Sequence, residues 1–195
     1  MNLKDYRKKR NFNSTTEPLE RKKDNRRHKN LFVIQKHKAT QLHYDFRIEI
    51  DHVLVSWAVP KGPSTDPKEK NLAIRTEDHP LEYANFEGII PEDQYGGGTV
   101  IVWDKGNYEN QADVNMSEAL REGKIKIWLK GKKIQGGYHL IRIKNTKKNQ
   151  EQWLLMKSKD NEADARRNPT ATQPESVISN MTIEQIEKND EKNNK

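Results

Sequence analysis

Residues 43–50, HYDFRIEI, alternate polar and apolar side chains without a break. A period of two places Tyr44, Phe46, Ile48 and Ile50 on one face of an extended strand. His43, Asp45, Arg47 and Glu49 then share the other face. A helix cannot use this pattern, because 3.6 residues per turn would scatter the apolar groups around its circumference. The stretches LFVIQKH, VLVSWAV, LAIRTE, GTVIVWD, KIKIWLK, YHLIRIK and QWLLMKS also read as short strands, and PKGPSTDP, YGGG and KGKKIQGG punctuate them as turns. One helix is predicted at Ser117–Glu122, with Ser117 as N-cap and Gly123 as its stop. Short helices near Leu3–Arg10 and within MTIEQIEKN are weaker signals. The expected fold is all-β: a compact antiparallel β-barrel of about eight strands with one or two short helices. Closure removes exposed strand edges.

With 33% charged and 32% hydrophobic residues, the core must be concentrated in part of the chain. The expected organisation is a basic arm over residues 1–29, partly ordered over the active site, a barrel over 30–159, and a disordered polar tail over 160–195. Residues 1–30 hold eleven Lys/Arg against four Asp/Glu, which accounts for the whole formal charge of +7. A basic arm on a neutral body suits a polyanion such as nucleic acid, or simply a solubilising tail. The absence of cysteine excludes disulfides, thiolate metal ligands and cysteine nucleophiles. MNLKDYRKKR has no apolar segment of a secretion signal, and no run is long enough to cross a membrane, so a cytoplasmic location is expected.

On the polar face of residues 43–50, His43, Asp45 and Arg47 stand about 7 Å apart in succession. A hairpin could bring His37, at the end of the preceding strand, beside His43. Two imidazoles and a carboxylate suit Mn²⁺, Fe²⁺ or Zn²⁺ with positions left open. Arg47 beside a cation makes sense when an anion also binds, and both would neutralise phosphoryl oxygens. The plain alternative is surface histidines on a solvated strand face. A second cluster, EDHPLEY, offers Glu77, His79 and Tyr83, with His79 held extended by the following proline. PEDQYGGGTVIVWD lacks the Lys-Ser/Thr ending of a phosphate loop and reads as a hairpin turn.

Together FVIQKHKATQLHYDFRIEIDHVLVSWAVPKGPS and EDHPLEYANFEGIIPEDQYGGGTVIVWD resemble the 3′-phosphoesterase domain family of bacterial DNA ligase D, in a stand-alone form, over roughly residues 10–158. The motif HxxxxxHxDxR followed by EDHPLxY carries the resemblance. It implies a β-barrel that, with Mn²⁺, removes 3′-terminal ribonucleosides and then the 3′-phosphate, leaving a 3′-OH for a ligase. By this resemblance the metal ligands are His37, His43 and Asp45, and the catalytic residues are Arg47, His79 and Tyr83. Gln35, Lys61 and Glu77 match supporting substrate-binding positions, and RNFNSTTEP resembles the family's RDFxxTxEP, which adds Arg10 and Glu17. Asn11 and Asn71 depart from the family's Asp and Arg, which bears on how strongly each step runs.

The mechanism expected on this basis has the metal at the barrel mouth polarising a phosphoryl oxygen, with Arg47 neutralising charge and a protonated His79 assisting. The partners would be DNA 3′ ends, with a separate ligase and polymerase. Two rivals remain at this stage. One is a ferrous oxygenase using His43, Asp45 and His139; the other is a non-catalytic nucleic-acid-binding accessory of a ligase complex.

Overall fold

A computed structural model describes residues 3–19, 30–144 and 150–193. Eight antiparallel strands close into a barrel in the order β1-β2-β3-β4-β9-β8-β7-β6, with β6 pairing back onto β1. They are β1 (Leu31–Lys38), β2 (Leu42–Ile50), β3 (Val53–Val59), β4 (Lys70–Arg75), β6 (Gly98–Asn110), β7 (Lys124–Gly131), β8 (Gln135–Arg142) and β9 (Gln152–Lys157). A ninth strand, β5 (Gly88–Ile90), pairs with the start of β6 and makes the Gly-rich stretch a hairpin turn. The long β6 can serve β5, β1 and β7 in succession because different parts of its length face each neighbour.

Alternation decides what lies inside. Phe32 and Ile34 of β1, Tyr44, Phe46, Ile48 and Ile50 of β2, and Trp57, Trp103 and Trp153 fill one interior cluster fed by strands all around the barrel. Trp57 and Trp153 meet edge to face at 5.5 Å, and Tyr44 and Trp103 do so at 5.2 Å. Such pairs favour this geometry because a positive ring edge meets a negative face. The turn joining β2 to β3 has left-handed backbone at both Asp51 and His52, with φ of 48° and 66°. Two successive left-handed residues match the twist of a tight hairpin.

The opposite face of β1, β2 and β3 is not solvated. A second apolar cluster of Tyr6, Val33, Leu54, Tyr83, Phe86, Ile90, Val100 and Val102 lies there. The N-terminal segment with helix α1 (Lys4–Lys8) and a 3-10 turn at Leu81–Asn85 contribute to it. Asp45, Arg47 and Glu49, on the polar face of β2, are therefore buried, at 6%, 3% and 6% exposure.

Two local expectations need correction. Helix α2 spans Met116–Glu122 and is capped by Asn115, whose side chain accepts from the Glu118 backbone N–H; Ser117 instead donates to Asp51. Asn115 holds the extended backbone of an N-cap while Ser117 already lies inside the helix. Gly123 does end it, in the left-handed conformation at φ 78°.

The polarity that suggests disorder over 160–195 hides an anchored segment. It contains α3 (Pro169–Thr172) and α4 (Ile183–Asn193), and buries Pro169, Ser176 and Ile183. Its carbonyls receive the polar tips of barrel residues: Trp103 and Lys133 donate to Gln173, and Tyr44 to Thr170. Val177 N–H donates to the Val102 carbonyl. A few irregularly spaced anchors and satisfied tips hold this chain without any apolar period. Among the described residues, no helix is long and apolar enough to cross a membrane.

Candidate active site

The register of β1 against β2 assembles the cluster. His37 pairs with His43, Gln35 with Asp45 and Val33 with Arg47, so the outward side chains of both strands converge. The imidazoles of His37 and His43 lie 4.7 Å apart between ring centres. His37 Nδ1 is 3.6 Å and His43 Nε2 3.7 Å from the Asp45 carboxylate. One donor atom from each of the three residues falls within 4.8 Å of the others, the one such group among the described residues. His139, on β8, has no part in it. The cluster lines a cavity of about 200 Å³ on the outer face of the barrel wall, not at its mouth.

The donor set fits a divalent ion. His43 Nδ1 lies 2.9 Å from the Gln41 carbonyl, which can only accept, so Nδ1 carries the proton and the Nε2 lone pair is left toward Asp45. A backbone carbonyl fixing the tautomer in this way is the usual support behind a metal-binding histidine. His37 presents Nδ1 to the same carboxylate, and its other ring nitrogen, Nε2, is buried without a hydrogen-bond partner. Burial pushes the Asp45 carboxyl up, but Arg47 and the two histidines override it and hold it well below the usual carboxylate range.

Arg47 is the hub of the next layer. Its Nε donates to Gln35 at 2.7 Å, Nη1 to Ser56 at 2.9 Å and Nη2 to Asp45 at 3.0 Å. Gln35 in turn donates to the carbonyls of Tyr83 and Phe86, which ties β1 to the 3-10 turn. The guanidinium stands 4.9 Å from the centre of the Tyr83 ring. Ser56 escapes the sequence reading because VLVSWAV looks uniformly apolar. Its signal was one hydroxyl in an otherwise apolar strand, and the β2–β3 register sets it opposite Arg47.

His79 sits between two guanidiniums. Arg47 Nη1 is 2.9 Å from its Nδ1 and Arg10 Nη2 is 3.2 Å from its Nε2. Burial, Arg47 and Arg10 hold its pKa well below the ordinary 6.5, so it is neutral near pH 7. The acid role open to His79 if protonated is thus disfavoured: a cation there would face two others in a buried site. Arg10 donates to Nε2 when that nitrogen is unprotonated, and Nδ1 lies 2.9 Å from both the Arg47 guanidinium and the Glu77 carbonyl.

The N-terminal segment supplies the far wall. Arg10 donates to Glu17 and to Glu77, each at 2.9 Å, and lies 4.1 Å over the Tyr6 ring. The Tyr83 hydroxyl donates to Glu17 at 2.8 Å, so it acts on the site through Glu17 and Arg10. Burial, then Glu17, pushes that phenol well above its ordinary 10.0. Glu77 also accepts from Lys9 at 3.1 Å, and Lys9 bonds the hydroxyl of Tyr95, a half-exposed cavity residue the sequence reading passed over. Lys61 is exposed in the turn after β3 and does not line the cavity. Asn71 is buried and donates to the Gly62 carbonyl, while exposed Asn11 accepts from the Asn13 backbone. Neither replaces the charge it lacks.

The formal charges cancel: Lys9, Arg10 and Arg47 face Glu17, Asp45 and Glu77. A divalent ion would leave an excess of two positive charges in a largely buried cavity, which favours a phosphate group.

Comparison with known proteins adds independent findings. Residues 35–142 match the family described as the DNA Ligase D 3′-phosphoesterase domain. The chain is 47% identical over 184 residues to the multifunctional non-homologous end joining protein LigD of Pseudomonas aeruginosa, covering 93% of this chain and 22% of that protein. It is 44% identical over 155 residues to the LigD of Mycobacterium tuberculosis H37Rv, covering 80% and 19%. For the Mycolicibacterium smegmatis protein the match is 40% over 163 residues, covering 81% and 21%. The chain thus spans about a fifth of the length of these relatives.

Proposed function

This chain belongs to the DNA ligase D 3′-phosphoesterase domain family, and on that premise we propose that it processes DNA 3′ ends in end-joining repair. Its substrates are primer ends carrying 3′-ribonucleotides or a 3′-phosphate. The diesterase step releases the terminal ribonucleoside and leaves a 3′-phosphate; the monoesterase step releases that phosphate and leaves a 3′-OH. A ligase and a polymerase use the product.

The observation that carries this reading is the convergence of His37, His43 and Asp45 with Arg47 in one buried cavity. His37, His43 and Asp45 would hold Mn²⁺, which would supply Lewis-acid polarisation of the phosphoryl group. Arg47 presents guanidinium N–H groups to the phosphate and is fixed in aim by Gln35 and Ser56. Arg10 adds a second guanidinium from the N-terminal segment, oriented by Glu17 and Glu77. Neutral His79 stands between the two guanidiniums. Tyr83 positions Glu17 and packs under Arg47. A 2′-hydroxyl beside the scissile phosphate distinguishes RNA-bearing ends from DNA.

A gel assay on a labelled primer ending in one or two ribonucleotides, with and without manganese, tests the proposal. The expected result is manganese-dependent shortening to a 3′-phosphate and then a 3′-OH. Intact primer under all conditions, with DNA binding preserved, would favour a non-catalytic accessory instead.

A further inference from the structure

Among the described residues, three buried polar side-chain atoms have no hydrogen-bond partner: His37 Nε2, Trp57 Nε1 and Thr76 Oγ1. Two of these three residues, His37 and Thr76, line the same cavity. The His37 ring is accounted for by the metal-ligand set, which its Nδ1 faces. The Thr76 hydroxyl is not, and nothing in the fold needs it. The Thr76 backbone is already fixed, its N–H donating to the Ser56 carbonyl at 3.0 Å and its C=O accepting from Arg75. Valine would have the same branched shape and no hydroxyl to leave unpaired. An unpaired buried hydroxyl is destabilising, and such a group calls for a partner.

Its place across the sheet indicates that partner. The cavity runs from His37 on β1 past Asp45 and Arg47 on β2 and Ala58 on β3 to Thr76, just after β4. Thr76 therefore lines the cavity from the β3–β4 side, its backbone bonded to Ser56, which pairs with Arg47 across the sheet. We propose that Thr76 is a substrate-contact residue, its Oγ–H donating to an oxygen of the 3′-terminal nucleotide held in the cavity. That oxygen is either phosphoryl or ribose. The inference rests on the end-processing reading above.

The test compares wild type with Thr76→Val and Thr76→Ser. Affinity is measured by anisotropy without divalent metal, for primers ending in a 3′-phosphate, a 3′-ribonucleotide or a plain deoxy 3′-OH. Thr76→Val should bind the recognised end about 3- to 10-fold more weakly, as expected for one neutral hydrogen bond. It should melt no lower than wild type, because it loses an unpaired polar group, and Thr76→Ser should restore affinity. A loss on both modified ends assigns the contact to a phosphoryl oxygen; a loss on the ribonucleotide end alone assigns it to ribose. Wild type that prefers neither modified end over 3′-OH overturns the reading of the cavity, and this inference with it. Preference retained equally in wild type and Thr76→Val overturns the Thr76 contact alone. Lowered melting with an affinity loss that serine does not restore assigns Thr76 a structural role and also overturns it.

Discussion

The two faces of β2 are buried to nearly the same degree by opposite means. Phe46 and Ile48 point inward at 0% exposure, and Asp45 and Arg47 point outward at 6% and 3%. The inner groups are held by apolar contact, which is non-directional and scales with the area removed from water. The outer groups are held by single partners at fixed distances, with Arg47 bonding Gln35, Ser56 and Asp45 at once. Burial alone therefore does not mark a core. The inner face should tolerate exchange in proportion to volume lost, whereas removing one member of the outer face strands the others without partners.

The largest effect should come from the outer face. Asp45→Ala removes a proposed ligand and leaves Arg47 without its carboxylate. Turnover should fall about a thousandfold or more, with metal binding lost in calorimetry; wild-type turnover would reject Asp45 as a ligand. Arg47→Ala should cost about 10²–10³ in turnover, yet metal affinity should stay within roughly tenfold of wild type. Loss of metal binding as complete as in Asp45→Ala would merge the two roles.

On the inner face, Phe46→Ala should destabilise by about 3–5 kcal/mol and Phe46→Leu by less than about 1.5 kcal/mol, read by urea unfolding. Metal affinity of the folded fraction should be unchanged. If Phe46→Leu abolished metal binding, the two faces would not be separable.

The smallest effect concerns pH. His79 has a folded pKa well below 6.5, set by burial, Arg47 and Arg10. Above 6.5 both folded and unfolded chains leave it neutral. As pH falls below 6.5 the unfolded chain takes up the proton first, so stability declines toward pH 5, by at most about 1.4 kcal/mol per pH unit from this group. His79→Gln should flatten that slope in unfolding curves, whereas Phe46→Leu should leave it intact. An unaltered slope in His79→Gln would contradict a neutral, buried imidazole.

Much of this architecture was legible from pattern. The eight barrel strands are visible because alternation or an apolar run survives in each, and β5 is not, because three residues cannot display a period. Asn115 and Ser117 are both good capping types two residues apart, and only the backbone at Asn115 separates them. The C-terminal segment escaped notice because its anchors, Pro169, Ser176 and Ile183, follow no period and are mostly small or polar. Ser56 was invisible as a site residue for a related reason: a single hydroxyl in a strand has no meaning until its cross-sheet neighbours are known.

The order of residues in HYDFRIEI by itself determined that one strand would present apolar groups to one side and a histidine, an aspartate and an arginine to the other, since side-chain direction follows from backbone geometry alone. Which of these became a site was decided in three dimensions. Barrel closure and the β1–β2 register brought His37 to His43. The docking of residues 3–19 laid Arg10 and Glu17 over them and turned a strand's polar face into a buried cavity. With water excluded, charges that would be screened from one another are coupled: burial, Arg47 and Arg10 silence the His79 imidazole, while Arg47 and the two histidines keep Asp45 ionised against its burial.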